Sequence, residues 1–270
     1  MRHSILVVCQ PPFIPKPDEA AEATYMYGGS RGDELPLRMI GGMAAHVADK
    51  GRGLVVMEWP MFADEGEIAE RVRGVVAEDA NVLVLDADGP DLDSYAAGDT
   101  AYEHPDLGAE YARKTVLRRE HLSLLGVQSI RAAITVIQKA TGAPGWTVGF
   151  TLDDVNIDES TLDGLVAGAE LLARGPEALL AAKLRPGKGV AFAVGKDNVR
   201  VVFPPGSARQ RLELNHGAHR VVTLLEGSAS VQVALTRFRK EGNYKPQDAM
   251  DRFLPAVEQL LASGVIEVAK

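Results

Sequence analysis

A single cysteine, Cys9, stands in 270 residues, which rules out a disulfide within the chain and any cysteine-based metal cluster. Long apolar runs are missing as well. Nothing approaches the roughly 20 residues that a membrane span requires. The one short run near the N-terminus, Ile5–Val8, stops at Gln10 and two prolines, too early for the apolar core of a secretory signal. No phosphate-binding loop, no Ser-His-Asp order, no paired-carboxylate signature, no internal repeat and no low-complexity segment is present. We therefore expect a cytoplasmic protein with no membrane partner.

Positive charge is scarce in the first two thirds and abundant in the last third. From Arg185 onward there are 13 Lys and Arg against 8 Asp and Glu, a charge of +5; residues 1–184 carry 16 against 29, or -13. A sign change of this size marks a domain boundary and an acidic partner for the basic part, with two differently solvated surfaces as the plainer alternative. Hydrophobic residues reach 46%, enough for a substantial core.

The pattern before the boundary is alternating. Ser4–Cys9, Gly53–Glu58 and Asn81–Asp86 are short continuous apolar runs of the kind found in strands buried on both faces, and Ser129–Gln138 alternates. Helical periodicity spans Glu34–Ala48, with Asp33 placed to cap it and Pro36 in its first turn, then Asp64–Glu78 and Leu107–Gly126. Strands alternating with helices predict an α/β sheet of four mainly parallel strands. Asp158–Leu184 reads as a helical connector broken at Gly175-Pro176. Beyond it, strands at Val190–Val194, Val199–Phe203 and Arg209–Leu214 precede helices at His216–Glu226, Ser228–Lys240 and Pro246–Ser263 and a closing strand Val265–Val268. The expected domains are residues 1–150, a connector 151–185, and a winged-helix-like α+β domain 186–270.

Two segments carry a resemblance. Gln10-Pro11-Pro12-Phe13 follows the first strand, and Tyr27-Gly28-Gly29 with Arg31-Gly32-Asp33-Glu34 opens the next helix. Together with Trp59-Pro60 and Arg71-Val72-Arg73 they resemble the rear half of amino-methylating class I methyltransferases, where Asn or Asp-Pro-Pro-Phe or Tyr ends a strand. The resemblance implies half of a methyltransferase-like (Rossmann-like) sheet. In that family the polar side chain accepts hydrogen bonds from the target NH2 and the aromatic ring stacks on a planar target. Here Gln10 replaces Asn or Asp, one methylene longer. Only nine residues precede the motif, whereas the family's glycine-rich cofactor turn and ribose-binding acid lie before it. Gly28-Gly29 follow a Pro-rich loop, Gly41-Gly42 fall inside a helix, and Asp86 and Asp88 lie in the wrong half of the sheet. We therefore expect no bound cofactor and a vestigial motif at Gln10, Pro11, Pro12 and Phe13. A binding protein is favoured over an enzyme. The alternative is an S-adenosylmethionine-dependent N-methyltransferase subunit completed by another chain.

The C-terminal pattern is similar to the small winged-helix peptide-recognition domains of ribosomal-peptide maturation, which take a leader peptide as an added strand between the third strand and third helix. That resemblance implies a peptide or protein partner held by Arg209, Arg211, Leu212, Glu213, Leu214, Arg237, Phe253 and Val257. The second helix has few base-reading side chains, which disfavours nucleic acid. His216 and His219 lack accompanying carboxylates, so no metal is expected. An exposed strand edge at Ile5–Cys9 predicts a homodimer or a protein partner there.

Overall fold

The computed structural model describes residues 4–17, 25–140, 145–153, 157–207, 209 and 211–269. The chain divides into two compact units, residues 1–151 and 152–270.

The first unit runs β1 (Ser4–Cys9), α1 (Glu34–Met43) with a 3-10 turn over Ala44–His46, β2 (Val47–Phe62), α2 (Ile68–Arg73), β3 (Ala80–Asp88), α3 (Leu92–Glu103), α4 (Ala109–Leu124), β4 (Val127–Lys139) and β5 (Thr147–Thr151). The sheet has five strands in the order β1-β2-β4-β3-β5. β1 is parallel to β2 and β3 to β5, while β4 runs antiparallel to both its neighbours. This corrects the expectation of a mainly parallel four-stranded sheet. The alternation in β4 fixes which residues face each side but is blind to strand direction. The chain leaves β3 through two helices and comes back beside it, so no parallel crossover is needed.

One face of the sheet packs Val55, Met57, Trp59, Val82, Val84, Ala133 and Ile137 against Ile40, Met43, Ile68 and Val72 of α1 and α2. On the other face, at the carboxyl end of β2, Phe62 and Ile130 pack with Tyr95 and Ala96 of α3 and Leu122 of α4. Because β1, β2, β3 and β5 share one direction, their carboxyl ends lie along one rim, where α/β sheets commonly receive ligands.

The second unit holds α5 (Glu159–Ala173), α6 (Pro176–Ala181), β6 (Leu184–Pro186), β7 (Ala191–Val194), β8 (Val199–Val202), β9 (Leu212–Leu214), α7 (His216–Leu225), α8 (Val231–Gly242), α9 (Pro246–Ala262) and β10 (Ile266–Val268). β7-β8-β9 form an antiparallel sheet, and β10 pairs antiparallel with β6. Its core joins Leu171, Leu179 and Leu184 to Val201, Val221, Leu225, Leu235, Phe253, Val257 and Leu260. The segment expected as a connector thus contributes core side chains. Side-chain caps start three helices: Asp158 accepts from the Thr161 N–H, Asn215 from Ala218 and Ser230 from Val233.

Candidate functional site

The two resembling segments of the first unit are built into each other. Ile14 bridges Tyr27, the Gly28 N–H donates to the Ile14 carbonyl at 3.1 Å, and the Lys16 N–H donates to the Gly29 carbonyl at 2.9 Å. A Cβ on Gly28 would collide with the Gly32 carbonyl and lie 2.7 Å from the Pro12 carbonyl. Gly32, at φ +91, has the Phe13 carbonyl where a side chain would go. These glycines are needed because two loops of the same chain touch there. Glu34 closes the loop by accepting from the Ser30 hydroxyl at 2.8 Å and from the Arg31 and Gly32 N–H groups at 3.1 Å. Burial pushes the Glu34 carboxyl up, and those donors outweigh it, leaving it below its ordinary value.

Asp33 was expected to cap α1, but its side chain makes no cap bond. It is buried in an ion pair with Arg71 instead. Arg71 also reaches Glu65 at 3.3 Å, donates to the Pro60 carbonyl at 2.8 Å, and lies 5.2 Å from the Trp59 ring. Arg31 pairs with Glu65 and stacks 4.0 Å over Phe62. Trp59-Pro60 and Arg71 therefore act as a latch that holds the loop after β1. Pro11 is buried, Pro12 and Phe13 are half-buried, and Gln10 is exposed at the rim.

Beside this loop lies a buried polar cluster that the sequence reading missed. The Tyr27 hydroxyl donates to Glu103 at 2.9 Å; Arg118 donates to that hydroxyl at 2.9 Å, to Glu103 at 2.7 Å and to Thr100 at 3.0 Å. Asp99 and Tyr95 stand on the same helix, one turn apart. The Asp99 Oδ2 and Tyr95 hydroxyl oxygens are buried with no hydrogen-bond partner among the described residues. Burial pushes the Asp99 carboxyl up to about 7, with Arg118 pulling it down and Glu58 and Glu103 pushing it further up. Burial likewise raises Glu58 and Tyr95.

In the second unit, β9 is an edge strand. A groove of about 460 Å³ runs along β8 and β9, lined by Arg200, Val202, Phe203, Arg211, Leu212 and Glu213. Of the eight residues expected to hold a peptide, Arg211, Leu212 and Glu213 line it. Glu213 accepts from the Asn198 amide and is paired across the strands with Arg200. Arg209 is engaged with Asp153 at 3.0 Å. Arg237 is exposed on α8, with Ser228 at 3.4 Å. Leu214, Phe253 and Val257 are buried in the core, the last two at 0% exposure, so they support the sheet and helices rather than a surface. Phe253 and Val257 read as groove residues because a helix's apolar stripe looks the same whether it faces a core or a ligand. His216 lies 3.1 Å from the Lys196 carbonyl and His219 packs on Phe192. Among the described residues no three His, Cys, Asp or Glu side chains are grouped to hold a metal.

No protein-family model and no curated protein matches this chain. Among solved structures, PKMT2 from Rickettsia typhi in complex with AdoHcy is similar at 8% identity with a TM-score of 0.31, over 100% of this chain. The chain spans about three-fifths of the length of that protein, 59%.

Proposed function

We propose that this chain is a methyltransferase-derived binding protein whose second unit takes an acidic, extended peptide or protein segment along β9. The observation that carries this reading is the groove beside an edge strand with Arg200 and Arg211 at its rim. Unpaired backbone groups supply affinity there, and the guanidinium groups select for acidic side chains. The leader of a ribosomally made natural product is the kind of peptide to which the sequence resemblance points. Fluorescence polarisation with a labelled acidic strand-forming peptide tests it. Arg211→Glu is expected to weaken binding about tenfold or more through lost attraction and added repulsion. Equal affinity for the variant, or for a basic peptide of the same length, would reject the proposal.

A second reading, an S-adenosylmethionine-dependent N-methyltransferase subunit completed by another chain, draws on the first unit. Its support is the intact latch and an exposed Gln10 at the strand end. The glycines among residues 28–32 do not fit a cofactor cradle, because the chain's own carbonyls fill the space beside Gly28 and Gly32. Calorimetry with S-adenosylmethionine separates the readings: heat of binding by this chain alone would favour the catalytic one.

For β1 we propose pairing with a second copy. It lies at the sheet edge, Ser4–Cys9 carries no charge to repel its own image, and Leu6 and Val8 are 56% and 64% exposed. Light scattering is expected to give a dimer, and Val8→Lys a monomer. A wild-type monomer at micromolar concentration would end this proposal.

A further inference from the structure

The buried cluster on the rim of the first unit has more negative groups than partners for them. Asp99 lies near enough to Glu58, Glu103 and Arg118 to feel their charges, and Arg118 donates to Glu103, Thr100 and the Tyr27 hydroxyl. Glu103 is satisfied by Tyr27 and Arg118. Asp99 is not: it is 8% exposed and its Oδ2 has no donor among the described residues. One turn earlier on α3, Tyr95 is 3% exposed and its hydroxyl has no partner either. A buried polar atom left this way costs roughly 1–3 kcal/mol. Two of them side by side are a reason to look for a ligand.

We propose that Asp99, Tyr95 and Glu58 form a receptor for a cationic nitrogen head, the ammonium or guanidinium group of a small molecule or of a partner's side chain. The chemistry matches in sign and in hydrogen-bond count. An ammonium brings three donors and a guanidinium five, and neither accepts. Asp99 Oδ2, the Tyr95 oxygen and the Glu58 carboxylate are acceptors of the kind such a head uses. A bare metal ion fits less well, since no three acidic, His or Cys side chains are grouped to hold one among the described residues. Glu58 is half-buried on β2, so the cluster has one side that is not closed off from solvent. Tyr27 ties the same cluster to the loop after β1.

The site is independent of the peptide groove of the second unit, and its test reads a different reporter. Both tryptophans, Trp59 and Trp146, belong to the first unit, so selectively excited tryptophan fluorescence reports on that unit. The full chain is titrated at pH 8 with agmatine, which carries one ammonium and one guanidinium head. Agmatine is expected to raise the fluorescence-detected melting temperature in proportion to the logarithm of its concentration. Butane-1,4-diol, of similar length and uncharged, is expected to do nothing. Asp99→Asn is expected to weaken agmatine about tenfold or more, which corresponds to the loss of a charge-assisted contact. Tyr95→Phe, which keeps the charge and the ring, is expected to weaken it less. Asp64→Asn, an exposed carboxylate elsewhere, should leave it unchanged. The proposal is overturned if agmatine produces no shift at millimolar concentration, or if Asp99→Asn responds as the wild type does.

Discussion

Replacing Arg71 with methionine is expected to lower the unfolding free energy of the first unit by about 3 kcal/mol, the low end of the usual range for breaking a buried ion pair. Methionine keeps an unbranched apolar stem and removes the guanidinium head, which lies over the Trp59 and Phe62 rings. The loss comes from what remains. Asp33 stays buried, with a side chain 3% exposed, and loses its main counter-charge. The low end applies because Arg31 Nε still lies 3.5 Å from Asp33. A second substitution, Asp33→Asn, removes the stranded charge, so the double variant is expected to recover more than half of the loss. Urea unfolding followed by tryptophan fluorescence measures both. Strictly additive losses in the double variant would show that the two groups do not act as a pair. The latch also fixes the loop after β1, and the amides of Ile14, Lys16 and Leu35 donate across it. Faster hydrogen exchange at those three amides is expected in Arg71→Met, well beyond the change in α5 or α9 of the second unit.

The elements easiest to read from the sequence were those whose pattern reflects a single dominant force. β1 and β3 are built around the apolar runs Ile5–Cys9 and Val82–Leu85, and α7 and α9 have an apolar stripe with a glycine or turn after them. β2 extends well beyond Gly53–Glu58: Gly51 and the charged residues before it look like a turn, yet β1 pairs there at Val47 and Arg52, and β4 pairs with the strand on to Phe62. β5 is five residues with a glycine in the middle, too short and too weak a pattern to stand out without its partner β3. β6 ends on a proline and exists because β10 pairs with it. Such strands are made by tertiary contact, and local sequence does not announce them.

The same limit explains the candidate site. Gln10, the two prolines and the glycines of the loop after β1 were visible because they are rare residue types in a specific order. α3 was not, since Leu92–Glu103 mixes small, acidic and aromatic residues with no clean stripe. One cue was available: Asp91 follows Pro90 and caps the helix, accepting from the Asp93 and Ser94 N–H groups at 3.0 and 2.9 Å. The helix lacks a stripe because its inward face is partly polar. Tyr95, Asp99, Thr100 and Glu103 occupy positions where a stabilising sequence would place apolar side chains. A break between local pattern and packing is expected at functional sites, and here it coincides with the buried acid.

That coincidence leads to a stability effect of opposite sign to the first. Asp99→Asn is expected to stabilise the first unit strongly at pH 8 and by less than half as much at pH 5. Asp99 faces Tyr95 and Glu103 on its own helix, Glu58 on β2 and Arg118 on α4. Its carboxyl is pushed up to about 7 in the folded protein from an ordinary 3.8. A carboxyl raised in this way favours the folded state only while it holds its proton. As pH climbs from about 4 to about 7 the unfolded chain has already released that proton and the folded chain has not, so stability falls across this window and levels off above it. A rise of this size corresponds to a loss on the order of 4 kcal/mol by pH 8. Asparagine fills the same space without the charge, so the variant should lack this fall. The check is the fluorescence-detected unfolding midpoint of both proteins at half-unit steps from pH 5 to pH 8. Curves that diverge with pH, the variant uppermost at pH 8, are the expected result, and parallel curves would contradict it. The variant that gains this stability is also the one expected to lose agmatine binding.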